Sequence, residues 1–203
     1  MENNLDVREY CRIRKGPRVT TSLQGRIPML ERDQVEGEIA ALYDKIYEER
    51  GIVPYMFKTV AHVPAVAMGF AAFLKGLMSD GELAAWYKEL VAARVASLNT
   101  CEYCISSHRY LAGRRGASVE QVNTIDSYET GPFTEKEKAG FRYADKLHTS
   151  THAIDDAAYA AVKQHFSDKE MIELTAVAAA FEFFPRFVSA LEIPVTPIPV
   201  EAK

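Results

Sequence analysis

Residues 89–108 read ELVAARVASLNTCEYCISSH, and this stretch sets the reading of the whole 203-residue chain. One apolar, helix-patterned run ends at Asn99 and Thr100, and a second begins directly after them. Thr100, or Asn99 one place earlier, is therefore the expected N-cap, with Cys101 opening the next helix. At about 100° per residue, Cys104 and His108 fall within roughly 60° of Cys101, so the three side chains share one helical face. The i,i+3 spacing brings the two cysteine Cα atoms to about 5–6 Å, within disulfide range, and i,i+4 sets His108 beside Cys104. Unpaired N–H groups in a first helical turn favour negative charge, and thus the thiolate of a cysteine placed there. Glu89 lies in the preceding helix among apolar neighbours, where the second helix turns back beside it.

On spacing alone the Cys-x-x-Cys pair has three readings: a dithiol redox site, part of a metal site, or two packed cysteines. A structural zinc centre usually takes four ligands, whereas Cys101, Cys104 and His108 supply three crowded along one helix, so no metal is expected. The other histidines, His62, His148, His152 and His165, add no closing spacing. His148 and His152 stand four apart at a polar helix end and read as a solvated face. Glu89 taken alone reads as a surface residue of an amphipathic helix.

Hydrophobic residues make up 48% of the chain and charged residues 26%, an ordinary balance for one globular domain with a well-buried core. A net charge of −4 argues against a general nucleic-acid binder. The basic cluster Arg8, Arg12, Arg14, Lys15 and Arg18 reads as a solvated arm. No apolar stretch reaches membrane-spanning length without charge, and the first residues lack the apolar core of a secretory signal, so a cytoplasmic protein away from membranes is expected. Three cysteines, one pair and a lone Cys11, do not make a secreted disulfide framework. Cys11 reads as incidental.

Residues 1–30 show no sustained period and are expected as an extended arm, residues 31–193 as a helical domain, and residues 194–203 as an extended tail. Ile39, Leu42, Tyr43, Ile46 and Tyr47 recur at helical spacing, with Gly51 placed to end that helix. Pro64 fits a first-turn position, and the run to Leu77 is apolar almost all round, which predicts a buried helix. A further helix is expected over 82–98. Ser118 with Gln121, Thr134 with Glu137, and Ser167 with Glu170 have the form of capping boxes, and Asp155 or Asp156 can start another helix. The last long element, 169–191, is apolar on most sides and should kink at Pro185. So broad an apolar surface implies a central place in the core or burial against another subunit. No stretch alternates with a period of two, so the predicted class is all-α, a bundle of about seven to nine helices.

The spacing Glu89, Cys101, Cys104, His108, written E-x11-C-x2-C-x3-H, resembles that of the AhpD-like alkylhydroperoxidases of the carboxymuconolactone decarboxylase superfamily. The wording Leu98-Asn99-Thr100-Cys101-Glu102-Tyr103-Cys104 looks like its peroxidase-related branch, and the resemblance extends over about residues 26–193. It implies an AhpD-like helical bundle assembling as a homo-oligomer, a trimer or hexamer. It also implies Cys104 as peroxidatic thiol, Cys101 as resolving thiol, and Glu89 with His108 as the proton relay. Tyr103 stands where the best-known pattern has a histidine, and is a supporting group able to hydrogen-bond. The implied activity is cofactor-free reduction of organic hydroperoxides or hydrogen peroxide. The oxidised pair is returned to the dithiol by an external reductant, with lipoylated and thioredoxin-like proteins as candidates. Two alternatives stand beside it: a carboxymuconolactone decarboxylase-like lyase that makes no use of the cysteines, and a non-catalytic redox-sensing protein.

Overall fold

The structure, a computed structural model, describes residues 25–198. The expected basic arm and Cys11 lie outside those residues. Nine α-helices follow in order: α1 Gly37–Arg50, α2 Tyr55–Val60, α3 Pro64–Met78, α4 Ala85–Leu98, α5 Glu102–Arg114, α6 Val119–Thr124, α7 Glu135–Thr149, α8 Asp156–Lys163 and α9 Asp168–Ala190. Short 3-10 turns occupy Arg32–Gln34 and Ile125–Thr130, and there is no strand among the described residues. The class is all-α, as the periodicity predicts. No described helix is long and apolar enough to cross a membrane.

The described chain divides into two compact units, residues 77–186 and residues 25–76 with 187–198. In the second unit Gly51 takes the left-handed conformation (φ 70°) and donates its N–H to the Tyr47 carbonyl at 2.7 Å, closing α1 where the sequence places its end. Tyr43 is fully buried and donates its hydroxyl to the Leu30 carbonyl at 3.1 Å. Burial beside Glu31 pushes that phenol up to about 12. Thr196 in the C-terminal segment accepts from the Tyr55 N–H at 2.9 Å.

One expectation fails in this unit. The apolar run of α3 is not buried: Ala67 is the one residue between Pro64 and Gly76 that is buried, while Val66 is 39% and Phe73 50% exposed. An all-round apolar pattern states that a surface needs covering, not that the same chain covers it.

In the first unit α4 packs against α5 and α7, and every residue from Tyr87 to Ala93 is buried. The helix starts at Ala85 rather than near Glu82, because the chain before it is held elsewhere. The N–H groups of Glu82 and Leu83 donate to the Glu173 carboxylate at 3.2 and 3.0 Å, and Ala85 N–H donates to Asp80 Oδ1 at 2.8 Å. The three capping boxes form as written, with Ser118, Thr134 and Ser167 each exchanging hydrogen bonds with the residue three places on. Asp155 caps α8 through the Ala158 N–H. Helix α9 continues through Pro185, whose ring nitrogen has no N–H for the turn before it.

Candidate active site

The site is built on the α4–α5 junction. Asn99 ends α4 in helical conformation, and Thr100 turns left-handed at φ 52°. The Thr100 N–H then reaches the Ser97 carbonyl and the Cys101 N–H the Ala96 carbonyl, both at 3.0 Å, which is the Schellman pattern of a helix end. Cys101 is thereby both the last residue held by α4 and the N-cap of α5. The expected cap, Thr100 or Asn99, is displaced one residue onward, because the left-handed turn consumes Thr100 and leaves Cys101 extended at φ −90°, ψ 93°.

Cys101 Sγ accepts from the Cys104 N–H at 3.3 Å, and the two sulfurs form a disulfide with Cα atoms 5.3 Å apart. Both cysteines are buried, as is Tyr103 between them. One turn beyond Cys104, His108 Nδ1 donates to Glu89 Oε2 at 2.6 Å. Glu89 is 1% exposed, so the carboxylate depends on its partners for compensation. Arg115, at the far end of α5, supplies a second partner through a guanidinium nitrogen 3.4 Å from Glu89 Oε1, and the same nitrogen donates to the Met78 carbonyl. The His108 ring meets Phe181 of α9 edge-on at 4.2 Å, which fixes the plane of the imidazole.

All four predicted residues thus lie on α4, the junction and α5, joined in two linked pairs: Cys101 with Cys104, and Glu89 with His108. Helical spacing sets Cys104 and His108 next to one another on α5. Among the described residues, no group of three or more His, Cys, Asp or Glu is arranged to hold a metal ion.

Sequence reading missed three participants. Arg115, which follows the last turn of α5, returns its side chain to the Glu89 carboxylate. His148 pairs with Glu182 of α9 at 2.6 Å and not with His152, since α7 ends at Thr149 and no helical i,i+4 relation exists. Asn99 joins the same Glu182 oxygen at 3.1 Å. Burial raises the Glu182 carboxyl, but hydrogen bonds from Arg186, His148 and Asn99 outweigh it and hold the group below the usual carboxylate range. Of the three, Arg115 carried the only local signal, its place at the end of the helix that bears His108.

Residues 64–146, from α3 into α7, match the model of the carboxymuconolactone decarboxylase family. The uncharacterized protein YnjA of Escherichia coli K12 is 30% identical over 108 residues, 53% of this chain and 59% of that protein. The chain therefore spans less than two thirds of the length of that relative. Among solved structures, an alkylhydroperoxidase AhpD core, an uncharacterized peroxidase-related protein from Ralstonia eutropha JMP134, superposes with a TM-score of 0.79 at 22% identity, over 85% of this chain and 92% of that one. The debrominase Bmp8 superposes with a TM-score of 0.75 at 21% identity, over 84% of this chain and 92% of that one. The fold is that of the AhpD-like helical proteins. The segment carrying the site is the one that matches the carboxymuconolactone decarboxylase family model.

Proposed function

We propose that this protein is a thiol-dependent peroxidase that reduces organic hydroperoxides or hydrogen peroxide through a Cys101–Cys104 dithiol/disulfide cycle. The observation that carries this reading is the Glu89–His108 pair one helical turn from Cys104. With Nδ1 engaged by Glu89, Nε2 is the ring nitrogen left to take the Cys104 proton, and the carboxylate balances the imidazolium that forms. The thiolate attacks the peroxide O–O bond, giving an alcohol or water and a sulfenic acid on Cys104. Cys101 displaces the sulfenic oxygen as water and closes the disulfide. An external dithiol, from a lipoylated or thioredoxin-like protein, then reopens it by exchange.

The test is turnover of cumene hydroperoxide and hydrogen peroxide with dithiothreitol as reductant. Cys104→Ser and Cys101→Ser should each abolish it. Equal activity in the double variant would sink the mechanism. Release of CO2 from a carboxylactone that survives cysteine replacement would favour the lyase. Disulfide formation without turnover would favour a redox-sensing role.

A further inference from the structure

Thr100 is a β-branched residue in left-handed conformation, φ 52°, at a helix end where glycine is the usual occupant. Such a residue persists only where its surroundings over-determine it. The neighbouring side chain supplies that restraint. Asn99 Nδ2 donates to its own helix at the Val95 carbonyl, 3.0 Å, and to Glu182 Oε1 of α9, 3.1 Å. Glu182 Oε1 also accepts from His148 Nδ1 of α7 at 2.6 Å, and Oε2 accepts from Arg186 at 2.7 Å. One carboxylate therefore ties α7 and α9 to the residue that precedes the strained turn. The adjacent Phe181 packs against His108, so consecutive α9 residues support both halves of the site.

We propose that Glu182, Asn99 and His148 form a clamp that positions Cys101 for disulfide closure, an assignment that rests on the dithiol reading above. In the closing step Cys101 Sγ attacks the Cys104 sulfenic sulfur, the S–S bond forms, the S–O bond breaks, and the oxygen leaves as water with the thiol proton. The step needs Cys101 held at the N-cap. If the clamp opens, Thr100 relaxes to negative φ and Cys101 swings off the end of α5. The clamp thus raises the effective concentration of Cys101 at Cys104. Glu182 and Asn99 are positioning residues, acting through the backbone of Thr100.

The full-length protein, equilibrated with reduced and oxidised glutathione, reports that effective concentration as its dithiol-to-disulfide ratio. The lifetime of the Cys104 sulfenate, trapped by dimedone after one equivalent of hydrogen peroxide, reports the closing rate. Asn99→Ala and Glu182→Ala should each shift the equilibrium toward dithiol by roughly tenfold, the scale of one released backbone strain, and prolong the sulfenate. Glu182→Gln keeps the oxygen acceptor and should stay near the parent. Adding Thr100→Gly to Asn99→Ala should restore the parent ratio, because glycine enters the left-handed turn without a side-chain cost. Ratios within about twofold of the parent in both alanine variants, at unchanged helical circular dichroism, overturn the clamp. So does the absence of rescue by glycine. If Glu182→Ala fails to fold, Asn99→Ala decides the matter alone. The glutathione equilibrium uses no peroxide, so a parent protein inactive toward peroxides would remove the function proposed above and leave this test standing.

Discussion

His108 Nδ1 lies 2.6 Å from a Glu89 carboxylate that is 1% exposed, so the imidazole beside the cysteine pair is anchored to a charge with almost no water of its own. Glu89→Gln keeps the shape but removes the charge that stabilises an imidazolium. The expected result is a loss of peroxide turnover of about 10²-fold or more, the usual weight of a positioned base. The disulfide should still form under a chemical oxidant. Steady-state rates, together with the pH dependence of Cys104 alkylation by iodoacetamide, check both halves. Full turnover in Glu89→Gln would remove the relay from the mechanism.

Arg115 approaches the other oxygen of the same carboxylate at 3.4 Å. A cation there competes with imidazolium for Glu89. Arg115→Met removes that cation from a carboxylate that is 1% exposed and should cost about 1–3 kcal/mol in urea unfolding, whereas Arg115→Lys keeps the charge and should cost less. Equal losses in the two variants would show that the guanidinium serves the Met78 carbonyl and not the charge of Glu89.

What could be read from the sequence divides by range. The three capping boxes and the Gly51 stop are local patterns whose geometry follows from capping and turn preferences, and the structure forms each of them. Helix α4 starts later than its apolar pattern predicts because the loop before it is held by Glu173, some ninety residues away in sequence. The partner of His148 escapes a local reading for the same reason, since Glu182 lies thirty-four residues beyond it. The shift of the α5 cap has a different cause: no propensity argument expects threonine in a left-handed turn. Charge pairs across helices leave no periodic trace, so the buried acids and bases of this chain were the least legible part of it.

Lys88 is 1% exposed and meets Glu173 at 3.0 Å, a pair whose carboxylate also holds the two backbone N–H groups before α4. Glu173→Ala leaves a buried cation unpaired and should cost about 3–5 kcal/mol in urea unfolding at neutral pH. Burial raises the Glu173 carboxyl, but the hydrogen bonds from Leu83, Lys88 and Glu82 outweigh it and hold the group below the usual carboxylate range. A depressed native pKa gives stability that is present above the unfolded pKa and lost as pH falls through the folded one. The gap between parent and Glu173→Gln should therefore narrow as the medium is acidified. A gap that is constant or widens in acid contradicts the assignment.

Val66, Gly69, Phe73 and Gly76 follow one another at i, i+3, i+7 and i+10 along α3, and all four are exposed. A Cβ built on either glycine meets nothing within 4 Å, so the stripe is open and flat enough for close approach of another helix. The sequence places subunit burial on the last helix, but the uncovered apolar face lies on α3, and an oligomer formed through α3 is the expected outcome. Phe73 is 50% exposed, so a charge there leaves the described fold room to adapt. Phe73→Glu should lower the mass measured by light scattering from that of an oligomer to that of one chain, with helical circular dichroism unchanged. Gly69→Leu tests the same face without adding charge and should weaken assembly by steric interference. If both variants keep the mass of the parent oligomer, α3 is not the face through which copies of this chain associate.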